Sequence, residues 1–225
     1  MSTLLLRLAA PLQSWGHESK FERRATGREP TKSGVIGLLA AALGRRRDEP
    51  LADLAQLKFG VRVEKEGQVM MDFHTAKAES RKDSYVTRRY YLEDAAFLVG
   101  LEGDAAFLQT LEAAVNSPFF PLFLGRRSCP PTGQVCLGIR DAALKEALRD
   151  EPFPEGERTE PYTLLLDTDK VGAYRQRDLP ISFSQQHRKF AYRYIEPKRI
   201  EPEKIKIKSD AHATEHDAFE GVAEK

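Results

Sequence analysis

The stretch that decides the fold is PTKSGVIGLLAAALG, residues 30–44. Thr31 or Ser33 can cap a helix here, because their side-chain oxygens accept hydrogen bonds from free amides of a first turn. Gly44 stands where a helix commonly ends in a left-handed residue. Two further glycines fall on one helical face, where small residues let a helix approach a sheet or another backbone closely. We therefore predict a helix packed tightly against its neighbours.

Strand and helix patterns alternate on both sides of this helix. The apolar run over residues 3–9, closed by Pro11, predicts a buried strand. KFGVRVEKEGQVMMDF predicts two strands that pair with each other through a turn at Gly67. AAFLVGLEG then predicts a buried strand, and DAAFLQTLEAAV an amphipathic helix with Asp104 near its N-terminus.

The order of these elements predicts the fold class. The order is strand, helix, strand, long basic excursion, strand, helix, strand. This is the split βαβ order of an α+β, ferredoxin-like or RRM-like sheet. We assign it to residues 1–138. VCLGI, YTLLLD and FAYRYIEP predict strands and AALKEALRD a short helix, so residues 139–208 are expected to form a smaller, mainly β part. Residues 209–225 have no pattern and predict a mobile tail.

Composition excludes a membrane protein. The chain has 225 residues, of which 31% are charged, and its longest apolar runs fall short of the roughly 20 residues that cross a bilayer. The N-terminal apolar stretch is interrupted by Arg7, so we interpret it as a strand and not as a signal peptide. With only two cysteines, we expect a reducing, cytoplasmic location.

Neither a metal site nor a cofactor site is expected. Cys129 and Cys136 are seven residues apart, which matches no common zinc spacing, and His212 and His216 alone do not make a site. GREPTKSG invites comparison with a nucleotide-binding P-loop, but Lys32 stands where the second glycine is needed. Lys32 and the free amides of the helix N-terminus could still hold a phosphate.

The charge is segregated along a chain whose net charge is +1. Residues 1–50 carry nine Lys/Arg against five Asp/Glu, and residues 170–200 carry eight against two, whereas residues 92–117 have five acids and no base. Segregation of this kind is typical of a face that binds a polyanion. The alternative is an ordinary solvated surface of mixed charge.

A basic excursion, HTAKAESRKDSYVTRRYY, occupies residues 74–91. It combines five bases with Tyr85, Tyr90 and Tyr91, and cations beside aromatic rings are what sequence-tolerant single-strand binding needs. The alternative is a solvated hairpin whose charges discourage edge pairing. Among the five histidines, His74 beside Lys77 is the best candidate for acid–base catalysis of RNA cleavage without a metal.

Five pieces together resemble a known family: LAAPLQSWG, PTKSGVIGLLAAALG, DFHT, YYLEDAAFLVGLEG and PLFLGRRSCPP. In this order they are similar to the CasD subunits of type I-E CRISPR Cascade, the E subtype of the Cas-five family in the RAMP superfamily. They span residues 8–131, and the resemblance thins after Gly138.

The resemblance implies an RRM-like RNA-binding domain with a protruding β-hairpin thumb at about residues 68–92. It also implies a non-catalytic subunit that holds the 5′ handle of the crRNA and caps a backbone of repeated subunits in antiviral defence. Its expected partners are the crRNA, the repeated subunits and the large subunit of Cascade, with target DNA reached through the complex. GRRSCPP would be a glycine-bearing loop lying against the RNA.

The predicted RNA contacts lie in the first loop, before the first helix, on the thumb and in the GRRSCPP loop. They are Gln13, Ser14, Trp15, Arg24, Arg28, Lys32, His74, Lys77, Arg81, Arg88, Arg89, Arg126, Arg127 and Ser128. Two alternatives accompany them: Trp15 is a core residue, and the adjacent arginines bridge to carboxylates on the protein's own surface.

Two other functions are kept beside the scaffold. One is a metal-independent endoribonuclease that processes CRISPR repeat RNA, with His74, Lys77 and Tyr90 as its candidate catalytic residues. The other is a general single-strand binder unrelated to CRISPR, which the ordered set of motifs disfavours.

Overall fold

The computed structural model describes residues 1–16, 23–77, 84–154, 160–170 and 173–201. The fold is α+β and rich in sheet. Its strands are β1 (Ser2–Ala9), β2 (Leu12–Gln13), β3 (Arg23–Arg24), β4 (Lys58–Lys65), β5 (Gln68–Ala76), β6 (Tyr85–Glu93), β7 (Ala96–Gly103), β8 (Cys136–Arg140), β9 (Tyr162–Thr168), β10 (Tyr174–Ser182) and β11 (Lys189–Ile200). Its helices are α1 (Lys32–Ala42), α2 (Ala52–Ala55), α3 (Ala105–Asn116) and α4 (Leu144–Asp150).

The strands form two sheets. The larger has the order β10-β11-β9-β4-β7-β1-β8, and each neighbouring pair in it is antiparallel. The smaller has the order β2-β6-β3, with β5 also paired to β6. Within the described residues, no helix is both long and apolar enough to cross a membrane.

Strand β1 lies between β7 and β8 and is buried on both faces. Leu4, Leu6 and Leu8 belong to the core cluster that also includes residues of α1 and α3. Leu5 belongs to a second cluster on the other side, where Leu148 of α4 packs. A continuous apolar run is needed here because both faces of the strand are covered, which explains why the run predicted the strand correctly.

The predicted helix signals at α1 and α3 are confirmed. The Thr31 hydroxyl accepts a hydrogen bond from the Gly34 amide at 3.2 Å, and the Asp104 carboxylate caps α3 by accepting from the Phe107 amide at 3.0 Å. Gly44 follows the end of α1 with φ of +75°. Each cap satisfies an amide that a helix leaves unpaired at its first turn.

The predicted pairing of β4 with β5 is wrong. Strand β4 pairs with β7 and β9, and β5 pairs with β6. Gly67 does turn the chain, with φ of +68°, but it directs the chain from one sheet into the other. Alternating apolar residues on both sides of a glycine cannot distinguish a β-hairpin from a chain that crosses from one sheet to another, because both turns need the same left-handed residue.

The segment expected as a thumb forms an antiparallel hairpin of β5 and β6. Its register runs from Gln68 opposite Glu93 to Ala76 opposite Tyr85. The hairpin lies between β4 and β7 in the chain but outside their sheet. The basic excursion is therefore largely strand β6 with the residues that precede it.

The C-terminal strands continue the larger sheet, because β9 pairs with β4. Three of the predicted elements are confirmed as β8, α4 and β9, and FAYRYIEP lies within β11. Strand β10 has no strong apolar alternation and was not predicted. Residues on both sides of Gly138 thus contribute to one sheet, and the division of the chain at residue 138 stays a prediction. The tail at 209–225 lies outside the described residues.

Candidate nucleic-acid interface

The first loop and the GRRSCPP loop pack against each other. The Ser14 amide donates to the Leu124 carbonyl at 3.1 Å. Gly125 follows with φ of +84°, and a β-carbon placed on it would lie 1.7 Å from the Ser14 carbonyl oxygen. Only glycine fits this close approach, since any larger residue would occupy the space of the backbone.

Cys129 fixes the turn that carries the adjacent arginines. Its carbonyl accepts from the Leu124 amide at 2.7 Å, and its amide donates to the Arg126 carbonyl at 2.9 Å. Its side chain is buried in the main core, and this burial raises the pKa of its thiol. Arg127 and Ser128 are exposed at the tip of the turn. The buried cysteine thus anchors a loop that presents polar side chains to solvent.

Three basic segments converge beside this turn. Strand β3 pairs in parallel with β6, placing Arg23 opposite Arg88 and Arg24 opposite Arg89. The Arg126 guanidinium donates from Nη2 to the Arg24 carbonyl at 2.9 Å, across 102 residues of chain. Strand β3, the hairpin and the glycine loop therefore bring five arginines that are far apart in the sequence to one small sheet, with Arg23 and Arg88 on one of its faces and Arg24 and Arg89 on the other.

Two tyrosines complete this basic–aromatic patch, which we define as Arg23, Arg24, Arg88, Arg89, Tyr90, Tyr91 and Arg126. The Arg23 guanidinium lies 5.0 Å from the centre of the Tyr90 ring, and that of Arg126 lies 4.5 Å from the centre of the Tyr91 ring. Stacking of this kind orders a guanidinium group while leaving N–H groups at its edges.

Within the described residues the arginines of the patch form no ion pair, although Asp72 lies opposite Arg89 in the register of the hairpin. Across the described part of the chain, none of the five has a carboxylate oxygen within 4.0 Å of its guanidinium nitrogens. Arg89 Nε and Arg126 Nη1, which are buried atoms, also have no hydrogen-bond partner there. Arg126 therefore does not form the ion pair with a surface carboxylate that the alternative prediction required.

The first-loop residues predicted as RNA contacts are buried. Gln13 is 0% exposed and its amide donates to the carbonyls of Leu8 and Ala95. Trp15 is 1% exposed, donates from Nε1 to Gln13, and lies where a β-carbon on Gly34 would be 2.9 Å from its ring. The Ser14 hydroxyl is buried and donates to the Tyr90 carbonyl. These side chains hold the loops in place, and their burial does not fit the prediction of direct RNA contact.

Lys32 also departs from its predicted role. Its side chain is 6% exposed and its Nζ lies 2.9 Å from Asp167 Oδ2. Its backbone amide, at the N-terminus of α1, donates to the buried Asp178 carboxylate at 2.8 Å. The protein itself therefore supplies the anion at this helix terminus, and the predicted phosphate position is taken by a carboxylate.

Most of the other predicted contacts are at least partly exposed. Arg24, Arg28, Lys77, Arg88, Arg127 and Ser128 are exposed, and Arg89 and Arg126 are partly exposed. Arg28 lines a cavity with Glu29, Tyr174 and Gln176. Arg81 lies outside the described residues.

The candidate catalytic residues do not converge. His74 lies opposite Thr87 and Tyr90 lies opposite Met71, so the two side chains project from opposite faces of the hairpin. His74 Nε2 lies 2.6 Å from the Asp72 carboxylate, at a partly exposed position. Among the residues that the structure describes, no group of three or more His, Cys, Asp or Glu could hold a metal ion.

Arg23 belongs to the patch but was not predicted. The sequence did contain a signal, since FERRATGREP places two arginines side by side. In a strand, adjacent residues project to opposite faces. The sequence does not show which face meets a ligand, so it gave no ground for predicting Arg24 as a contact and leaving out Arg23.

Comparison with known proteins gives consistent matches. Residues 3–196 match the family described as CRISPR-associated protein (Cas_Cas5). The chain is 38% identical over 174 residues to the CRISPR system Cascade subunit CasD of Escherichia coli (strain K12), an alignment that covers 67% of this chain and 78% of that protein. The resemblance indicated by the five sequence pieces is thereby confirmed.

Two solved structures are similar to the whole described fold. A crystal structure of a Cas protein superimposes with a TM-score of 0.76 and 42% identity, covering 90% of this chain and 97% of the other. A chain of a CRISPR RNA-guided surveillance complex superimposes with a TM-score of 0.77 and 33% identity, covering 90% of this chain and 92% of that chain.

Proposed function

Because this chain belongs to the CRISPR-associated Cas5 family, we propose that it is a non-catalytic RNA-binding subunit of a Cascade surveillance complex. It holds the 5′ handle of the crRNA and caps the backbone of repeated subunits in the cytoplasm. The observation that carries the proposal is the basic–aromatic patch, in which five arginines without carboxylate partners adjoin two tyrosines. The names of its relatives, a Cascade subunit and an RNA-guided surveillance complex, support the same assignment.

The chemistry of the patch suits a single-stranded phosphate backbone. Guanidinium groups bind phosphate oxygens through two parallel N–H donors, and they do so best where no carboxylate competes. Tyr90, which is partly exposed, can accept a base by stacking without preference for sequence, whereas Tyr91 is buried and supports the Arg126 guanidinium. The tight packing of the Gly125 loop on Ser14 holds the three basic segments at fixed spacing, so little ordering is needed when RNA binds.

The strand order supports a more specific description of the fold. Within the larger sheet, β8-β1-β7-β4 has the order and antiparallel pairing of a ferredoxin-like or RRM-like core, with α1 and α3 as its crossover helices. On this interpretation, the β5–β6 hairpin is the thumb. Val69, Met71 and Phe73 are exposed on one of its faces, which suits burial against the repeated backbone subunits or the large subunit.

Catalysis is not part of the proposal. Cleavage by the 2′-oxygen requires a base and an acid on opposite sides of one phosphate, whereas His74 and Tyr90 project from opposite faces of the hairpin. The pairing of His74 with Asp72 does not supply a base and an acid on opposite sides of one phosphate. The endoribonuclease is therefore not favoured.

The experiment that tests the proposal removes charge from the patch. The Arg24→Ala/Arg88→Ala double variant should bind handle RNA at least about tenfold more weakly when assembled with its partner subunits. The salt dependence of log K should fall in slope by about 1.4, since each phosphate contact on a single strand contributes about 0.7. Filter binding or anisotropy over a salt series gives both quantities.

Arg46→Ala/Arg47→Ala is the matched control. Both arginines are exposed beyond the end of α1. Among the described residues, no carboxylate oxygen lies within 4.0 Å of the guanidinium nitrogens of either one. The control loses the same charge outside the patch and should bind as the parent does. Equal affinities for the two double variants would refute the assignment of the patch.

A further inference from the structure

The β10–β11 hairpin carries a second group of arginines and tyrosines that the proposed function does not use. Arg175 lies opposite Tyr194 in the register of the two strands. Its guanidinium stacks on Tyr192 with 3.8 Å to the ring centre, and that of Arg177 lies 6.0 Å from the same ring. We define these four residues as the outer face of the hairpin.

The outer face is exposed. Tyr192 is 49% and Tyr194 39% exposed, and both arginines are exposed as well. Strand β10 is the edge strand of the seven-stranded sheet. Tyr192 and Tyr194 are two residues apart in one strand, so their rings project from the same side and could stack successive bases.

Both acids among residues 173–200, Asp178 and Glu196, form ion pairs, whereas several bases of the same segment do not. Asp178 is held by Arg193, and Glu196 by Lys170 and Lys198. Within 173–201, by contrast, Arg175, Arg177, Arg188 and Lys189 have no carboxylate within 4.0 Å among the described residues. Four of the eight bases in residues 170–200 thus form no ion pair among the described residues, and two of these four, Arg175 and Arg177, belong to the outer face.

We propose that the outer face of the β10–β11 hairpin is a second binding surface for single-stranded nucleic acid, separate from the basic–aromatic patch. Unpaired guanidinium groups bind phosphates, and exposed tyrosines stack on bases. An acidic peptide would complement the charge but would not use the exposed faces of the two rings for stacking. The two surfaces lie on different sheets, so the second can hold a strand other than the handle.

The test uses the full-length chain and labelled oligo(U) and oligo(dT) probes, which lack the handle sequence, in fluorescence anisotropy. The Arg175→Glu/Arg177→Glu variant should lose at least about tenfold in affinity, and Tyr192→Ala about tenfold, the effect of one lost base-stacking contact. A larger loss on oligo(U) identifies RNA as the strand, and a larger loss on oligo(dT) identifies DNA. Arg46→Glu/Arg47→Glu is the matched charge control and should bind normally.

Two results would overturn the inference. One is unchanged affinity of both outer-face variants for both probes. The other is displacement of the probe by polyglutamate from the parent and from Tyr192→Ala alike, which would indicate charge without stacking. Binding of the same probes by Arg24→Ala/Arg88→Ala separates the surfaces: loss confined to that variant refutes the second surface and leaves the proposed function standing.

Discussion

A Gly125→Ala substitution is expected to destabilise the protein by about 3–5 kcal/mol, at the upper end of what single substitutions do. The new β-carbon would lie 1.7 Å from the Ser14 carbonyl oxygen, a backbone atom that cannot move as a side chain does. The left-handed conformation of the residue, with φ of +84°, adds about 1–2 kcal/mol for any residue with a β-carbon. The loop that carries Arg126 must therefore separate from the first loop.

Urea denaturation of the parent and the variant measures this loss. Gly133→Ala is the matched control, because Gly133 has φ of +73° but no atom within 4 Å of the position that a β-carbon would take. It carries the conformational cost alone, about 1–2 kcal/mol. If the two variants were equally stable, the close packing of the two loops would not be what makes glycine necessary at position 125.

An Asp178→Ala substitution is expected to cost about 3–5 kcal/mol, because it removes one of the two carboxylates that neutralise the buried Arg193 guanidinium, Asp167 being the other, and leaves the Lys32 amide without its acceptor. Asp178 is 2% exposed and accepts hydrogen bonds from Arg193 at 2.7 and 2.9 Å and from the Lys32 amide at 2.8 Å. Burial lowers the pKa of Arg193, but the hydrogen bonds to Asp178 more than offset this and hold the pKa above its ordinary value. The arginine therefore stays charged.

Thermal and urea unfolding of Asp178→Ala test this prediction, with Glu196→Gln as the control. Glu196 is also paired with cations, Lys170 and Lys198, but in a solvated position where ion pairs contribute little. The control should unfold as the parent does. An Asp178→Ala protein of parental stability would mean that the network of Lys32, Asp167, Asp178 and Arg193 does not hold the helix to the C-terminal strands.

The elements that could be predicted from sequence are those whose signal is local. A capped, glycine-ended pattern gave α1, and an apolar run gave β1, because both depend on residues adjacent in the chain. The pairing of β4 could not be predicted in this way. Its partners β7 and β9 lie some 40 and 100 residues away, whereas the neighbouring strand β5 offered an equally good pattern.

The candidate site was predictable in its charges but not in its burial. Basic loops and a basic hairpin predicted a phosphate-binding surface, and four of the predicted arginines, Arg24, Arg88, Arg89 and Arg126, do lie on or beside one small sheet. Lys32 looked similar in sequence, yet its partners Asp167 and Asp178 are 135 and 146 residues away. Whether a cation faces solvent or a buried carboxylate is decided by long-range packing, which residue types alone do not reveal.

The central claim is most directly tested by a gel of labelled CRISPR repeat RNA with the purified chain in chelator, with and without its partner subunits. Both retardation and cleavage are scored. We predict intact RNA, bound tightly only when the partner subunits are present. Specific cleavage that is abolished by His74→Ala would contradict the account and identify the chain as a nuclease.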